Sequence, residues 1–159
     1  MDRPWVLDYD SANCSIGAAV SVIGEKWTFL LLREMFNGVR RFADLQRRTQ
    51  APRQILSGRL SRLVDEGLLR KVPYQESGQR SRHEYRLTEK ALDLYPVLVA
   101  LMHWGDKHAA GPAGPAVRLT HRDCGEPIGL QFTCAAGHPV PSARGVTPVP
   151  GPGARKIVA

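Results

Sequence analysis

Apolar residues recur at helical spacing over residues 53–66, the most informative pattern in the chain. One side of a helix with 3.6 residues per turn would carry four aliphatic residues: Leu56, Leu60, Leu63 and Val64. The opposite side would carry hydrogen-bonding, small and cationic residues: Gln54, Gly58, Ser61 and Arg62. Such an outward side can place donors and acceptors against base edges in a major groove. The pattern therefore predicts a recognition helix.

Shorter patterns predict the elements beside this helix. A first short helix is expected over residues 42–48, and Pro52 suits the first turn of the second helix. Gly67 can adopt the left-handed conformation that ends a helix. Residues 68–72 and 83–87 have the composition of two strands around a polar, glycine-containing segment. Helix, turn, helix and basic hairpin together predict a winged helix-turn-helix.

Further helices are predicted at both ends of this unit. Residues 14–35 contain two apolar segments separated by Gly24-Glu25, and Thr88 is a good N-cap for a long helix to about residue 108, kinked at Pro96. The apolar face of that helix contains Leu92, Tyr95, Leu98, Leu101 and Met102. So small a domain cannot cover this face, so we expect a second subunit to cover it in a two-fold dimer. Packing of the helix onto its own domain is the alternative.

The fold class is therefore α+β, mainly α, with a winged helix-turn-helix between N- and C-terminal dimerisation helices. Composition divides the chain into five segments: an arm (1–13), the main domain (14–110), a linker (111–117), a small Cys/His-containing strand-and-turn module (118–145) and a disordered Pro/Gly-rich tail (146–159).

Positive charge is concentrated in the predicted motif. The formal net charge of the 159 residues is +7, and residues 40–90 contain thirteen Lys and Arg against six Asp and Glu, so this segment carries the whole surplus. A polyanionic partner, double-stranded DNA, is expected. A solvated surface that only keeps the protein soluble is the alternative.

Targeting features are missing from the sequence. No run of about 18 apolar residues occurs, and the first residues lack a signal-peptide pattern, so we expect a cytoplasmic protein with no membrane partner. Three scattered cysteines do not make a disulfide framework.

Ten side chains are predicted to contact DNA. Four would reach base edges or adjacent phosphates: Gln54, Ser57, Ser61 and Arg62. Six would face phosphates: Arg40, Arg41, Arg53, Arg59, Arg80 and Arg82. Arg80 and Arg82, at the wing tip, could instead enter a minor groove. Arg59 or Arg62 could instead pair with Asp65 or Glu66 on the helix surface.

The module near the C-terminus contains His121, Cys124, Cys134 and His138 in the spacing H-x2-C-x9-C-x3-H. Two chelating pairs of this kind can hold a tetrahedral structural zinc. The usual ribbon has a cysteine where this chain has Gly137, so we predict no metal and no cofactor, with structural zinc as the alternative.

Residues 14–108 resemble the HxlR family of bacterial transcriptional regulators. The resemblance rests on six pieces in the family's order: Cys14 with Gly24-Glu25-Lys26-Trp27-Thr28, residues 38–45, the helix 56–63, Asp65-Glu66-Gly67-Leu68-Leu69, Glu84-Tyr85-Arg86-Leu87-Thr88, and Trp104-Gly105. It implies a dimeric winged helix protein that binds operators near its own gene, without catalysis. Ala51-Pro52-Arg53 departs from the family, in which a hydroxyl cap is commoner at this place.

Cys14 is a candidate redox sensor, because some HxlR relatives sense oxidants or electrophiles through a cysteine at this place. The dipole of a helix N-terminus would favour its thiolate. A small buried residue in the dimer core is the alternative.

These observations predict a homodimeric repressor on an inverted-repeat operator, modulated by a small-molecule effector or by oxidation of Cys14. A winged helix that binds proteins without specific DNA binding is the main rival. An enzyme with a catalytic metal in the Cys/His module is a further one, but only Asp123 and Glu126 lie near as bases.

Overall fold

The computed structural model describes residues 10–78 and 80–157, so positions 1–9 of the predicted arm, position 79 of the wing and positions 158–159 of the tail lie outside the described residues. Short 3-10 helices cover Ser11–Asn13 and Ala143–Gly145. The other elements are α1 (Ser15–Ile23), α2 (Lys26–Phe36), α3 (Phe42–Thr49), α4 (Arg53–Asp65), β1 (Leu69–Tyr74), β2 (Arg82–Leu87), α5 (Glu89–Leu92) and α6 (Tyr95–His108).

The chain divides into two compact units. The main unit comprises residues 19–109, and the terminal unit comprises residues 10–18 together with 110–157 of the described part. The main unit is mainly helical with one two-stranded antiparallel sheet. The predicted winged helix-turn-helix is thereby confirmed.

The core of the main unit lies where three helices meet. Leu31 and Leu32 of α2 and Leu45 of α3 are fully buried there. The stripe predicted for α4 fills the same core: Leu56, Leu60 and Leu63 are buried, and Val64 packs against the cluster while remaining partly exposed. The side of α4 that faces away from the core is thus fixed by these leucines.

A tight turn joins α3 to α4. Gln50 adopts a left-handed conformation with φ 57° at the end of α3, and the Thr49 hydroxyl donates to the Leu45 carbonyl at 2.7 Å. Ala51, which sequence reasoning considered a poor cap, is buried. Pro52 precedes the first residue of α4 as its N-cap, one position before the first helical turn in which it was expected.

Gly67 ends α4 with φ +71°, in the left-handed region that favours glycine. The sheet begins directly after it, with Leu69 opposite Leu87 and Tyr74 opposite Arg82. β1 extends two residues beyond its predicted end at position 72. The Tyr85 amide donates to the Arg40 carbonyl at 2.9 Å, which attaches the segment before α3 to β2.

The long helix predicted over residues 88–108 is two helices. Thr88 caps α5 as expected, with its hydroxyl accepting from the Ala91 amide at 3.4 Å. The chain then breaks at Asp93-Leu94, and Pro96 lies in the first turn of α6, where its missing N–H leaves no hydrogen bond unmade. The prediction of a kink at Pro96 was therefore wrong, because this proline begins a helix.

The two sides of α6 have different surroundings. Val99 is buried, Leu98 packs against the core, Met102 is partly exposed, and the Tyr95 ring lies 5.1 Å from the Phe36 ring centroid. The domain thus covers only part of the face that was predicted for dimerisation, since Leu92, Tyr95 and Leu101 remain exposed. A different stripe is open along α6: Val97, Leu101 and Trp104 are 43%, 50% and 63% exposed.

The terminal unit is built from turns. Isolated antiparallel bridges join Thr120 to Pro127 and Thr133 to Pro139. The Asp10 amide donates to the Arg155 carbonyl at 2.7 Å, so part of the segment predicted as a disordered tail pairs with the end of the arm. No described residue of this unit is buried. The unit therefore has no apolar core of its own among the residues that the structure describes.

Among the described residues, no single helix is long and apolar enough to cross a membrane. α1 and α2 reach that length and hydropathy only as a pair bent by 79°.

Leu60→Ala is expected to lower the free energy of unfolding by about 2–5 kcal/mol, because truncating a fully buried leucine loses apolar contact and leaves a cavity. Ile55→Ala in the same helix is the matched control; Ile55 is 39% exposed, and we expect a loss of about 1 kcal/mol or less. Urea denaturation followed by circular dichroism measures both. Equal losses would contradict the assignment of the buried side of α4.

Candidate nucleic-acid interface

The outward side of α4 carries a row of polar side chains without a hydrogen-bond partner among the described residues. Gln54, Ser57 and Ser61 are exposed, and none of the three forms a side-chain hydrogen bond with another described residue. Nothing lies within 4 Å of the position that a Cβ would occupy at Gly58. We call Gln54, Ser57 and Ser61 the outward row. It can approach another surface closely and has free donors and acceptors to offer.

Arg53 stands beside this row at the first position of α4. Its guanidinium carbon lies 5.2 Å from the centroid of the Phe42 ring, a cation–π distance that orients the side chain towards α3. The backbone N–H groups in the first turn of α4 point out of the helix N-terminus, where they favour a bound anion. Arg53 and this N-terminus together suit a phosphate.

Arg59 and Arg62 have partners that sequence reasoning did not identify. The Arg59 guanidinium forms an ion pair with Glu25, and that of Arg62 donates to the Ser21 carbonyl. Neither pairs with Asp65 or Glu66 in the described part of the chain, which was the alternative from sequence. Both arginines hold the flank of α4 against the corner between α1 and α2.

Gly24 makes that corner possible. A Cβ at this position would overlap the Val20 carbonyl oxygen and Val20 Cγ1. A larger residue would therefore force α1 and α2 apart and displace the partners of Arg59 and Arg62.

A basic cluster lies beside α3. A cavity of about 350 Å³ is lined by Arg40, Arg41, Arg47 and Arg48 together with Gly38, Val39, Asp44 and Glu84. Sequence reasoning singled out Arg40 and Arg41 and missed Arg47 and Arg48 as site residues. Their position in the last turn of a helix with an acidic first turn was the available signal. The exposed ion pair of Arg47 with Asp44, at 2.9 Å, leaves most of the Arg47 side chain in solvent.

Glu34 fixes the orientation of α3 on α2. Its side chain is 7% exposed, and its two carboxylate oxygens lie 2.7 Å from Arg33 Nη2 and 3.4 Å from Arg48 Nη1. A carboxylate this far from solvent needs such partners, since an unpaired buried charge is costly. Arg48 is therefore committed to Glu34, in contrast to Arg40.

Two arginines near the tip of the hairpin are exposed to solvent. Arg80 and Arg82 are exposed and form no ion pair among the residues described. Where β1 ends and the loop of the wing begins, the Arg41 guanidinium lies 4.5 Å from the centroid of the Tyr74 ring and 2.6 Å from the Glu76 carboxylate. That hydrogen bond raises the pKa of Arg41, so the group stays cationic.

Cys14 lies at the start of α1 with an exposed thiol. The Gly17 amide donates to its sulfur at 3.4 Å, and the Ala18 amide donates to its carbonyl at 2.9 Å. The thiol thus occupies the N-cap position of α1 and accepts a hydrogen bond from a backbone amide.

Each of the two turns of the Cys/His module contains one of the two predicted pairs. His121 Nδ1 lies 3.2 Å from Cys124 Sγ in the first turn, and the Cys134 amide donates to the His138 carbonyl at 3.0 Å in the second. Among the described residues, no three His, Cys, Asp or Glu side chains are arranged to hold a metal ion. The zinc alternative therefore gains no geometric support.

Comparison with known proteins identifies the family. A family profile described as HxlR-like helix-turn-helix matches residues 22–111. An uncharacterized HTH-type transcriptional regulator of Mycobacterium tuberculosis is 48% identical over 139 residues, covering 87% of each chain. Another from Methanothermobacter thermautotrophicus is 35% identical over 102 residues, 64% of this chain and 76% of its own.

Solved structures agree with this family. The crystal structure of PA1607, a candidate transcription factor, has a TM-score of 0.76 at 37% identity and covers 87% of this chain and 95% of its own. The reduced form of the redox regulator HypR has a TM-score of 0.52 at 27% identity and covers 58% and 90%. The chain belongs to the HxlR-like helix-turn-helix family of transcriptional regulators.

Proposed function

We propose that this protein is a homodimeric repressor that binds an inverted-repeat operator with α4 in the major groove and the hairpin beside it. The observation that carries the proposal is the outward row, which is exposed and uncommitted on the helix that the fold supplies for recognition. Family membership supports DNA as the partner.

The polar residues have different roles in the proposed complex. Gln54 has the side-chain geometry to read adenine, and Ser57 and Ser61 can accept or donate to either base of a pair. Phosphates are contacted by cations before α3, at the start of α4 and in the wing: Arg40, Arg41, Arg53, Arg80 and Arg82. Arg59 and Arg62 are positioning residues in this proposal, since their partners are Glu25 and the Ser21 carbonyl. Their remaining N–H groups are free to add phosphate contacts.

Gln54→Ala is expected to reduce discrimination between operator and scrambled DNA by about 1–3 kcal/mol, because it removes a base-edge contact. Arg82→Gln is expected to weaken binding to both duplexes alike and to lower the salt slope by about one. Fluorescence anisotropy on the DNA upstream of the protein's own gene, across a salt series, measures both effects.

Arg118→Gln, an exposed charge in the terminal unit, is the matched control for lost charge and should change neither quantity. Discrimination that survives Gln54→Ala unchanged would contradict the role of the outward row.

Dimerisation is proposed through the open stripe of α6. Val97, Leu101 and Trp104 follow an i, i+4, i+7 pattern and are all exposed, which suits an interface between two copies of one helix. Two recognition helices about 34–36 Å apart would then face successive major grooves. This stripe shares only Leu101 with the face predicted from sequence.

Leu101→Asp is expected to convert the dimer to a monomer, because it places a charge in the middle of the apolar stripe. Lys107→Asp on the same helix is the control and should remain dimeric, since Lys107 lies outside the stripe. Sedimentation velocity at micromolar concentration measures the mass, and circular dichroism checks the fold. A dimeric Leu101→Asp variant would place the interface elsewhere.

Redox modulation through Cys14 is supported by its exposed thiol at a helix start and by the similarity to HypR, which is described as a redox regulator. Hydrogen peroxide would oxidise the thiol to a sulfenic acid: an S–O bond forms as the O–O bond breaks, and the second oxygen leaves as water. The change in size and polarity at the start of α1 would then weaken DNA binding.

Peroxide treatment is expected to weaken operator binding at least tenfold in the wild type and in Cys124→Ser, but not in Cys14→Ser. Anisotropy before and after treatment, with reversal by dithiothreitol, measures the effect. Equal loss of binding in Cys14→Ser would assign the response to another group.

A further inference from the structure

A second cavity of about 390 Å³ lies in the main unit, between the end of α2, residues 38–40 and β2. One part of its wall is apolar and includes Met35, Phe36 and Leu87. Another part is cationic and includes Arg40, Arg70 and Arg86. None of the residues that line it is acidic. The cavity therefore combines an apolar wall with a cationic wall and has no acidic lining residue.

The positive charge is held in an unfavourable arrangement. Arg70 and Arg86 are direct cross-strand partners, and like charges directly opposite one another destabilise a sheet. The charge of Arg86 is compensated by Glu84, whose carboxylate lies 2.7 Å from Arg86 Nε. Arg40 and Arg70 form no side-chain hydrogen bond or ion pair with any residue in the described ranges. Two cations at this cavity thus lack an anion.

The apolar part of the wall is formed by side chains that belong to the hydrophobic core or pack against it. Met35 is buried, and Phe36 and Leu87 pack against the core, with the Phe36 ring also in contact with Tyr95. Tyr85 lines the cavity as well, and partial burial raises the pKa of its phenol, so the hydroxyl remains a hydrogen-bond donor. A ligand with a flat apolar part and one acidic group would satisfy both parts of the wall.

We propose that this cavity binds a small aromatic carboxylate that weakens DNA binding, an inference that rests on the proposed function of the protein as a DNA-binding regulator. The carboxylate pairs with Arg40 and Arg70, and the ring lies on the apolar wall. The volume is in the range usual for small-molecule sites, which are apolar with a few convergent polar groups. A phosphate alone would fill only the cationic part.

The effect on DNA follows from Arg40. This residue is one of the proposed phosphate contacts and also lines the cavity. A bound carboxylate neutralises it, so ligand and DNA compete for the same charge and each weakens the affinity of the other by the same factor.

The test is calorimetric titration of the full-length protein with 1-naphthoate, and with 1-naphthamide and inorganic phosphate as probes that lack the charge or the ring. We expect saturable binding of naphthoate at least tenfold tighter than that of either control. Arg70→Gln should weaken naphthoate binding at least tenfold, and Lys71→Gln, which removes a neighbouring exposed charge outside the lining, should change it less than twofold. Arg70→Gln should stay folded, since it relieves a pair of like charges.

Failure to saturate, equal binding of the amide, or equal losses in the two variants would overturn the site. The affinity for DNA is measured in a separate experiment. Naphthoate at a concentration that saturates the wild type should raise the Kd for the upstream duplex at least fivefold in the wild type and not in Arg70→Gln. Unchanged DNA affinity with naphthoate bound would overturn the regulatory part. Protein that never discriminates between duplexes would instead overturn the proposed function, whether or not naphthoate binds.

Discussion

Burial of the leucine stripe of α4 against α2 and α3 determines the rest of the structure. Leu56, Leu60 and Leu63 can lie in the core only if the side of the helix 180° away points outward. Burial of the leucines therefore places Gln54, Ser57 and Ser61 in solvent. Rotating α4 about its axis would expose the leucines and lose several kcal/mol of apolar burial. Core packing therefore holds in place the side chains that are proposed to read DNA.

The arginines around this core fall into two groups that sequence alone does not separate. Some are committed to partners within the fold, such as Arg48 on Glu34 and Arg59 on Glu25. Others, such as Arg80 and Arg82, have no partner in the described residues and keep their charge available. The committed ones orient α3 and α4, and in the proposed complex the free ones supply the long-range attraction of a polyanion. In this proposal the same surplus of positive charge serves both architecture and binding.

Sequence predicted what depends on local periodicity and missed what depends on distant contacts. The stripe of α4, the Thr88 cap and the hairpin follow from spacing within a few residues. The open stripe at Val97 and Trp104 did not, since only the fold shows that a break at Asp93-Leu94 separates α5 from α6 and that α6 packs against the core through Leu98. The pairing of Arg62 with Ser21, 41 residues away, also required the fold.

Selection from random double-stranded DNA with the full-length reduced protein tests the central claim most directly, because it requires no assumption about the operator. The account predicts enrichment of two inverted half-sites whose centres lie about 10–10.5 base pairs apart, with an adenine in each half-site whose enrichment is lost in Gln54→Ala. Binding without any enriched sequence, or the same enriched sequence from Gln54→Ala, would contradict recognition by the outward row of α4.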